Sequence, residues 1–320
     1  LEAERARMEF LGASGNRKAA QEAARALVMR ERHAPPPYRR DAFVTLVQLA
    51  VEAGHPEEAA ETVARADADL LKEPADRAAV HLAYANALAA KGQRQRAAAA
   101  CQRLVALFPQ APQACWAAQK LLVQALLDER QDDAALAAAS VLYGAAPNSE
   151  AEITEAVGLV LRALKARYRS VAIVNDFLTF QSRGPNGRDG KRGTGDDAEN
   201  PLAGLTWTPP AEVEALFQKT LADLGTDSAC RRWRGYLCLY WGKPEIALRE
   251  FVRRFDETPL EQKAVDEAID DIVVGLKAVC GHTLTGERFA DYQRLGPKGL
   301  DGKLGTKDDL NDPLKEVLTK

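Results

Sequence analysis

Two stretches of this chain bring carboxylates and glycines together at one spacing. The first reads Asp189-Gly190, Gly193-Thr194, then Asp196-Asp197; the second reads Asp301-Gly302, Gly305-Thr306, then Asp308-Asp309. Glycine admits positive φ, so such a segment can curl and aim its carbonyl oxygens inward. Carboxylates gathered in one curl repel each other unless a cation neutralises them, and hard oxygen donors of this kind suit Ca²⁺. Neither loop holds a His or Cys, the donors a transition metal would want. Two other readings stay open: Asx-turns and nests that hold no ion, and a nest that binds an anion. The six-residue interval from Gly190 to Asp196 matches that from the turn glycine to the last ligand of an EF-hand. Pro185 and Gly187 would then stand at the first and third ligand positions, which excludes an ordinary EF-hand.

The string GxDGxxGTxDD resembles the calcium loop near the C-terminus of type II secretion major pseudopilins. That resemblance implies Asp189, Asp196 and Asp197, and Asp301, Asp308 and Asp309, as the ligands of two Ca²⁺ sites. Only the loop is shared. The long N-terminal pilin helix and the strands are absent, so the pseudopilin function is not implied. Asn200 and Asp312, just before a shared Pro-Leu, would complete a shell or cap the next helix.

Catalytic patterns fail on inspection. His33, His55, His81 and His282 stand in no HExxH, HxH or zinc spacing, and His81 reads as a packed helical residue. No Walker loop, GxSxG or dinucleotide fingerprint occurs. GPNGRDGKRGTGDD contains Gly-Lys, but it lacks the phosphate-loop spacing and its aspartates would repel phosphate. Asp270-Asp271 reads as the polar face of a helix, and Arg231, Arg232 and Arg234 as a solvated one. Cys101, Cys115, Cys230, Cys238 and Cys280 lie in helical patterns without CxxC spacing and read as small buried apolar groups. The reading is of a chain that is not an enzyme.

The loops end a larger duplication. Residues 177–202 and 289–314 align without a gap at an offset of 112, and the same offset pairs Leu164-Lys165-Ala166 with Leu276-Lys277-Ala278. It also pairs Ala135 with Ala247 and Pro147 with Pro259. A helical hairpin, a further helix pair and a Gly/Asp loop therefore occur twice.

A shorter period runs ahead of it. In the stretch from Arg77 to Pro109, apolar residues at helical spacing break at Gly92-Gln93, resume, and end at the proline. An upstream shift of 38 puts Gly54 at the turn; the same shift downstream puts Arg130 there, with Ala59, Ala97 and Ala135 in one register. The later segment from Arg231 to Pro259 carries Gly235, Gly242, Ala247, Phe251 and Pro259. These positions resemble the small, turn, small, large and terminating-proline positions of the tetratricopeptide repeat family. The period of 38 departs from that family's usual 34. The resemblance implies an all-α, tetratricopeptide-like α-hairpin solenoid with two inserted Gly/Asp-rich loops. It covers roughly residues 40–147 and 228–259; a partial hairpin precedes residue 32, and His33–Arg40, with its three prolines, reads as an extended linker. The expected division is 1–147 as hairpins, 148–202 as a helix pair with the first loop, and 203–320 as the duplicated module.

In that family the first helices of successive hairpins line a concave face that binds extended peptides. Six residues before each turn stand Gln48, Asn86 and Gln124, then Tyr236 in the later hairpin. Amides both donate and accept, so a ladder of them could hold a peptide backbone. Composition agrees with a binding protein of this kind. Net charge is −3 with both signs interspersed, which argues against nucleic acid as a partner. The apolar residues are 46% of the chain with only 6% aromatic, alanine dominating, and no run is long enough to cross a bilayer. The leading reading is a scaffold for a protein or peptide partner, with two Ca²⁺ loops. Its alternatives are a helical accessory domain of a larger enzyme or secretion or envelope component, and a self-associating structural subunit. Ca²⁺ loops of modest affinity point toward the cell envelope or exterior, where calcium is abundant.

Overall fold

A computed structural model describes residues 2–30, 36–147, 149–186, 197–205, 207–259, 261–299 and 310–318. Among these residues all regular structure is helical, and neighbouring helices pack in pairs. The all-α expectation is met. Packing divides the chain into two compact units, residues 1–131 with 209–216, and residues 132–208 with 217–320.

The first unit holds α1 (Glu2–Ala13), α2 (Arg17–Arg30), α3 (Pro36–Glu52), α4 (Pro56–Arg65), α5 (Pro74–Ala90), α6 (Arg94–Leu107) and α7 (Pro112–Asp128). A π-helical turn, Ala66–Leu70, extends α4. Helices α3, α5 and α7 are each 17 residues long, and their first residues, Pro36, Pro74 and Pro112, keep the spacing of the turns. Proline suits the first helical position because its missing N–H would have no partner there and its φ is already helical. That is why Pro36–Arg40 is the first turn of α3 and not an extended linker; residues 31–35 lie outside the described ones. The N-terminal segment is likewise a full pair, α1 against α2.

One turn closes the helices again and again. At Gly54 and Gly92 the glycine N–H bonds three residues back and the next N–H bonds five back, to Val51 and Ala50, and to Ala89 and Leu88. Both glycines have positive φ, 88° and 71°. This is the Schellman closure, which satisfies the last carbonyls of a helix and needs a left-handed residue. Arg130 makes it too, at φ 59°, without being glycine. The core of this unit gathers Met8, Leu27, Phe43, Val47, Val51 and Leu88, while Ala59, Ala85 and Ala97 are fully buried and let the helices approach.

The second unit holds α8 (Asp132–Ala145), α9 (Glu150–Tyr168), α10 (Ala172–Arg183), α11 (Ala211–Asp223, its residues through Leu216 grouping with the first unit), α12 (Ser228–Tyr240), α13 (Pro244–Glu257), α14 (Gln262–Cys280), α15 (Leu284–Leu295) and α16 (Pro313–Leu318). Adding 112 to both bounds of α8, α9 and α10 returns both bounds of α13, α14 and α15. The termini match as well. Helix α9 ends on left-handed Arg169 and α14 on left-handed Gly281; α10 ends at Gly184 and α15 at Gly296, with φ of 67° and 73°. Side-chain caps start α9 and α12: Ser149 accepts from the Glu152 N–H, and Asp227 from the Cys230 N–H.

Candidate functional site

The stems of the two Gly/Asp loops close alike. After α10, the Ala198 N–H donates to the Pro185 carbonyl at 3.3 Å; after α15, the Leu310 N–H donates to the Pro297 carbonyl at 3.1 Å. The exits repeat too. Asn200 Oδ1 accepts from the Leu202 N–H and Asp312 Oδ1 from the Leu314 N–H, both at 3.0 Å. Asp312 thereby caps α16, whereas Asn200 closes a non-helical turn over residues 201–204. Asp197 is exposed at the foot of the first loop. Asp189, Asp196, Asp301, Asp308 and Asp309 lie outside the described residues. Among the described residues, no group of three or more His, Cys, Asp and Glu side chains could hold a metal.

The amide positions fall in register. Gln48, Asn86 and Gln124 are each the thirteenth residue of a 17-residue helix, α3, α5 and α7, and α5 packs against both of the others. Gln48 and Asn86 are exposed; Gln124 is half-buried and donates to Asp128 Oδ1 at 2.8 Å. Tyr236 belongs to the other unit. Its hydroxyl donates to Asp271 Oδ1 at 2.9 Å, and its ring meets Phe251 edge-on, so it serves an interior and not a ladder.

That interior corrects two sequence expectations. Asp271 is 1% exposed, not part of a polar face. Arg254, itself buried, donates to Asp271 Oδ2 at 2.5 Å, and Arg232 Nε stands 3.3 Å from the same oxygen. Burial pushes the Asp271 carboxyl up while Arg232 and Arg254 pull it down; the net direction is upward. The arginines of α12 are not a solvated row either. Arg231 meets Glu250 at 3.3 Å and Glu257 at 2.8 Å, and Arg234 donates to the Leu221 carbonyl at 2.7 Å. Single-residue hydropathy could not reveal this, because the partners come from three different helices.

His81 is buried as expected, with Asp67 of the π turn 3.0 Å away and Phe108 edge-on. None of the five cysteines is in a disulfide; Cys101, Cys115 and Cys238 are buried, and Cys230 and Cys280 half-buried. Burial raises the Cys101 thiol to about 12, so it is unreactive near neutrality. Sequence reasoning passed over one further residue, Lys277 of α14. Its side chain is 1% exposed, its ammonium donates to the Ala146 carbonyl just past α8, and burial pushes it down to about 7. No described helix is long and apolar enough to cross a membrane. No family model, curated protein or solved structure matches this chain.

Proposed function

We propose that this chain is a non-catalytic interaction scaffold of tetratricopeptide-like hairpins, whose first unit takes an extended peptide along α3, α5 and α7. The observation that carries this reading is the shared register of Gln48, Asn86 and Gln124. Amides repeated at one height of successive helices present donors and acceptors at regular intervals, as a peptide main chain does. Selecting peptides from a random display library on the full chain, then measuring them by calorimetry, tests it. Asn86→Ala should weaken a selected peptide more than tenfold with the melting temperature unchanged; equal affinity for the variant counts against the ladder.

We also propose that each Gly/Asp loop is a Ca²⁺ clip on the exit of α10 or α15. Its support is the matched pair of stems together with an all-oxygen donor set. A ligand of the folded state raises stability by mass action. Millimolar Ca²⁺ should therefore raise the melting temperature of the chelator-treated protein, and Asp189→Asn/Asp301→Asn should remove that rise. No heat on titration and no thermal shift would dispose of the clips.

A further inference from the structure

Inside the second unit the two copies of the module touch. The stem of the first Gly/Asp loop packs against the junction of α14 and α15. The Phe180 ring meets the His282 ring edge-on, with centroids 5.5 Å apart. A Cβ on Gly184 would come within 3.3 Å of Leu284 and 3.4 Å of His282, so this glycine lies flat against the junction. Asn200 reaches Gly281, where a Cβ would stand 2.5 Å from its amide nitrogen. Asn186 and Arg288 line one cavity beside the contact. Phe180, Gly184 and His282 are all buried.

The offset of 112 supplies each half of this contact a second time, and both second versions are open. On the stem side, Tyr292 stands for Phe180 and Gly296 for Gly184. Both are half-buried, and a Cβ on Gly296 would meet nothing within 4 Å. On the junction side, residues 168–172 stand for 280–284. Tyr168, Arg169, Val171 and Ala172 are exposed, whereas Cys280, Gly281, Thr283 and Leu284 are half-buried. Val171 is 67% exposed, Tyr168 44%, and Leu178, two turns along α10, 39%. Those are three of the six large apolar side chains exposed among the described residues, and such a cluster in water marks a surface that another molecule covers.

Shape and charge both suit the open halves to each other. Arg169 and Gly281 are left-handed alike, with φ of 52° and 76°, and Gly184 and Gly296 agree at 67° and 73°. Where the internal contact sets Asn200 against Gly281, the open halves offer Asp312 and Arg169. The Arg169 Cβ displaces only the end of a side chain there, and the adjustment brings opposite charges together. Where the internal contact sets Asn186 and Arg288 around a cavity, the open halves offer Lys298 and Asp176, both exposed and again opposite in sign. Complementary charges fix the register of a contact and reject wrong partners.

We propose that this chain associates head to tail with a second copy of itself. The stem of the second Gly/Asp loop in one molecule takes the α9–α10 junction of the next, repeating between molecules the contact made within one. The two surfaces differ, so the interface is heterologous and either propagates or closes into a ring. It uses neither the amide ladder nor a loop-bound ion, and its test is independent of both readings.

Sedimentation velocity on the full chain decides it, over about 5 to about 500 μM, because a contact of so few side chains belongs to the weak class. The weight-average mass should rise with concentration. Asp176→Arg, which brings in the residue α15 carries at this place, and Lys298→Glu should each weaken association about tenfold at unchanged melting temperature. An equal mixture of the two variants should restore it, because each then meets the opposite charge on the other. A chain that stays monomeric over the whole range overturns the proposal. So does association that either substitution leaves unchanged, or that the mixture fails to restore.

Discussion

The helices α8–α10 and α13–α15 have the same lengths and the same offsets, yet their interiors are chemically different. Where α8 and α9 bury Leu142 and Leu159, the matching positions of the second copy are Arg254 and Asp271, also buried. A leucine pair has become an ion pair on an unchanged frame. Turns, caps and helix lengths set the frame, and the interior can change its chemistry provided partners change together. Removing one member of a buried pair strands the other, which costs about 3–5 kcal/mol. Asp271→Leu should therefore destabilise by about that much in urea unfolding, since Arg254, Arg232 and Tyr236 all lose their acceptor. Arg254→Leu/Asp271→Leu should recover the part of the loss that comes from the stranded Arg254. If the single variant is as stable as the double one, the two interiors are not alternative solutions.

The lysines Lys165 and Lys277 sharpen the comparison through pH. Lys277 releases its proton near 7 when folded, whereas an unfolded lysine keeps it to about 10.4. Between those values the unfolded chain binds the extra proton, so this group's contribution to stability rises with pH by about 1.4 kcal/mol per unit. Below 7 both states are protonated and the full cost of burying the ammonium stands. Relative to Lys277→Met, the wild-type chain should thus gain about 2 kcal/mol from pH 7 to pH 9 by this proton linkage. A flat line would mean that the Lys277 amine is hydrated.

Volume has also been redistributed. A Cβ on Gly235 would come within 2.2 Å of the Phe251 ring, and one on Gly275 within 3.1 Å of it. In the first copy Ala139 and Ala163 stand where Phe251 and Gly275 do, so the large side chain goes with a glycine and the small one with a larger residue. Gly235→Ala should cost about 1–3 kcal/mol from overpacking. Adding Phe251→Leu should relieve the clash, and a second variant no better than the first would point to some other cause.

Local chemistry made the frame legible. Glycine at the turn and alanine at the crossings are short-range signals, and they mark the hairpin turns at Gly54 and Gly92 and the long duplication; Pro36, read as part of a linker, instead begins α3. Misreadings arose where meaning is non-local. Asp271 beside Asp270 looks like a solvated edge until Arg254 and Arg232 arrive from other helices. The register itself held the missing clue, since position 271 aligns with Leu159 and position 254 with Leu142, both apolar. Lys277 was hidden in the same way, behind a counterpart that does lie at the surface. The carboxylates of the two loops, Asp197 apart, fall outside the described residues, and their reading still rests on residue type and spacing.

The smallest difference between the copies is in their turns. Arg130 and Arg169 are the two non-glycine residues with positive φ among those described, at 59° and 52°. Both become glycine in the second copy, Gly242 and Gly281, with φ of 65° and 76°. A left-handed L-residue costs about 1–2 kcal/mol, part of which glycine gives back through its greater freedom when unfolded. Arg130→Gly should therefore stabilise the chain by up to about 1 kcal/mol, seen as a small rise in the urea midpoint with an unchanged slope. The reverse exchange, Gly242→Arg, should lose a comparable amount. If Arg130→Gly is destabilising instead, the arginine side chain contributes more at that turn than its backbone strain costs, and the two turns are alike only in outline.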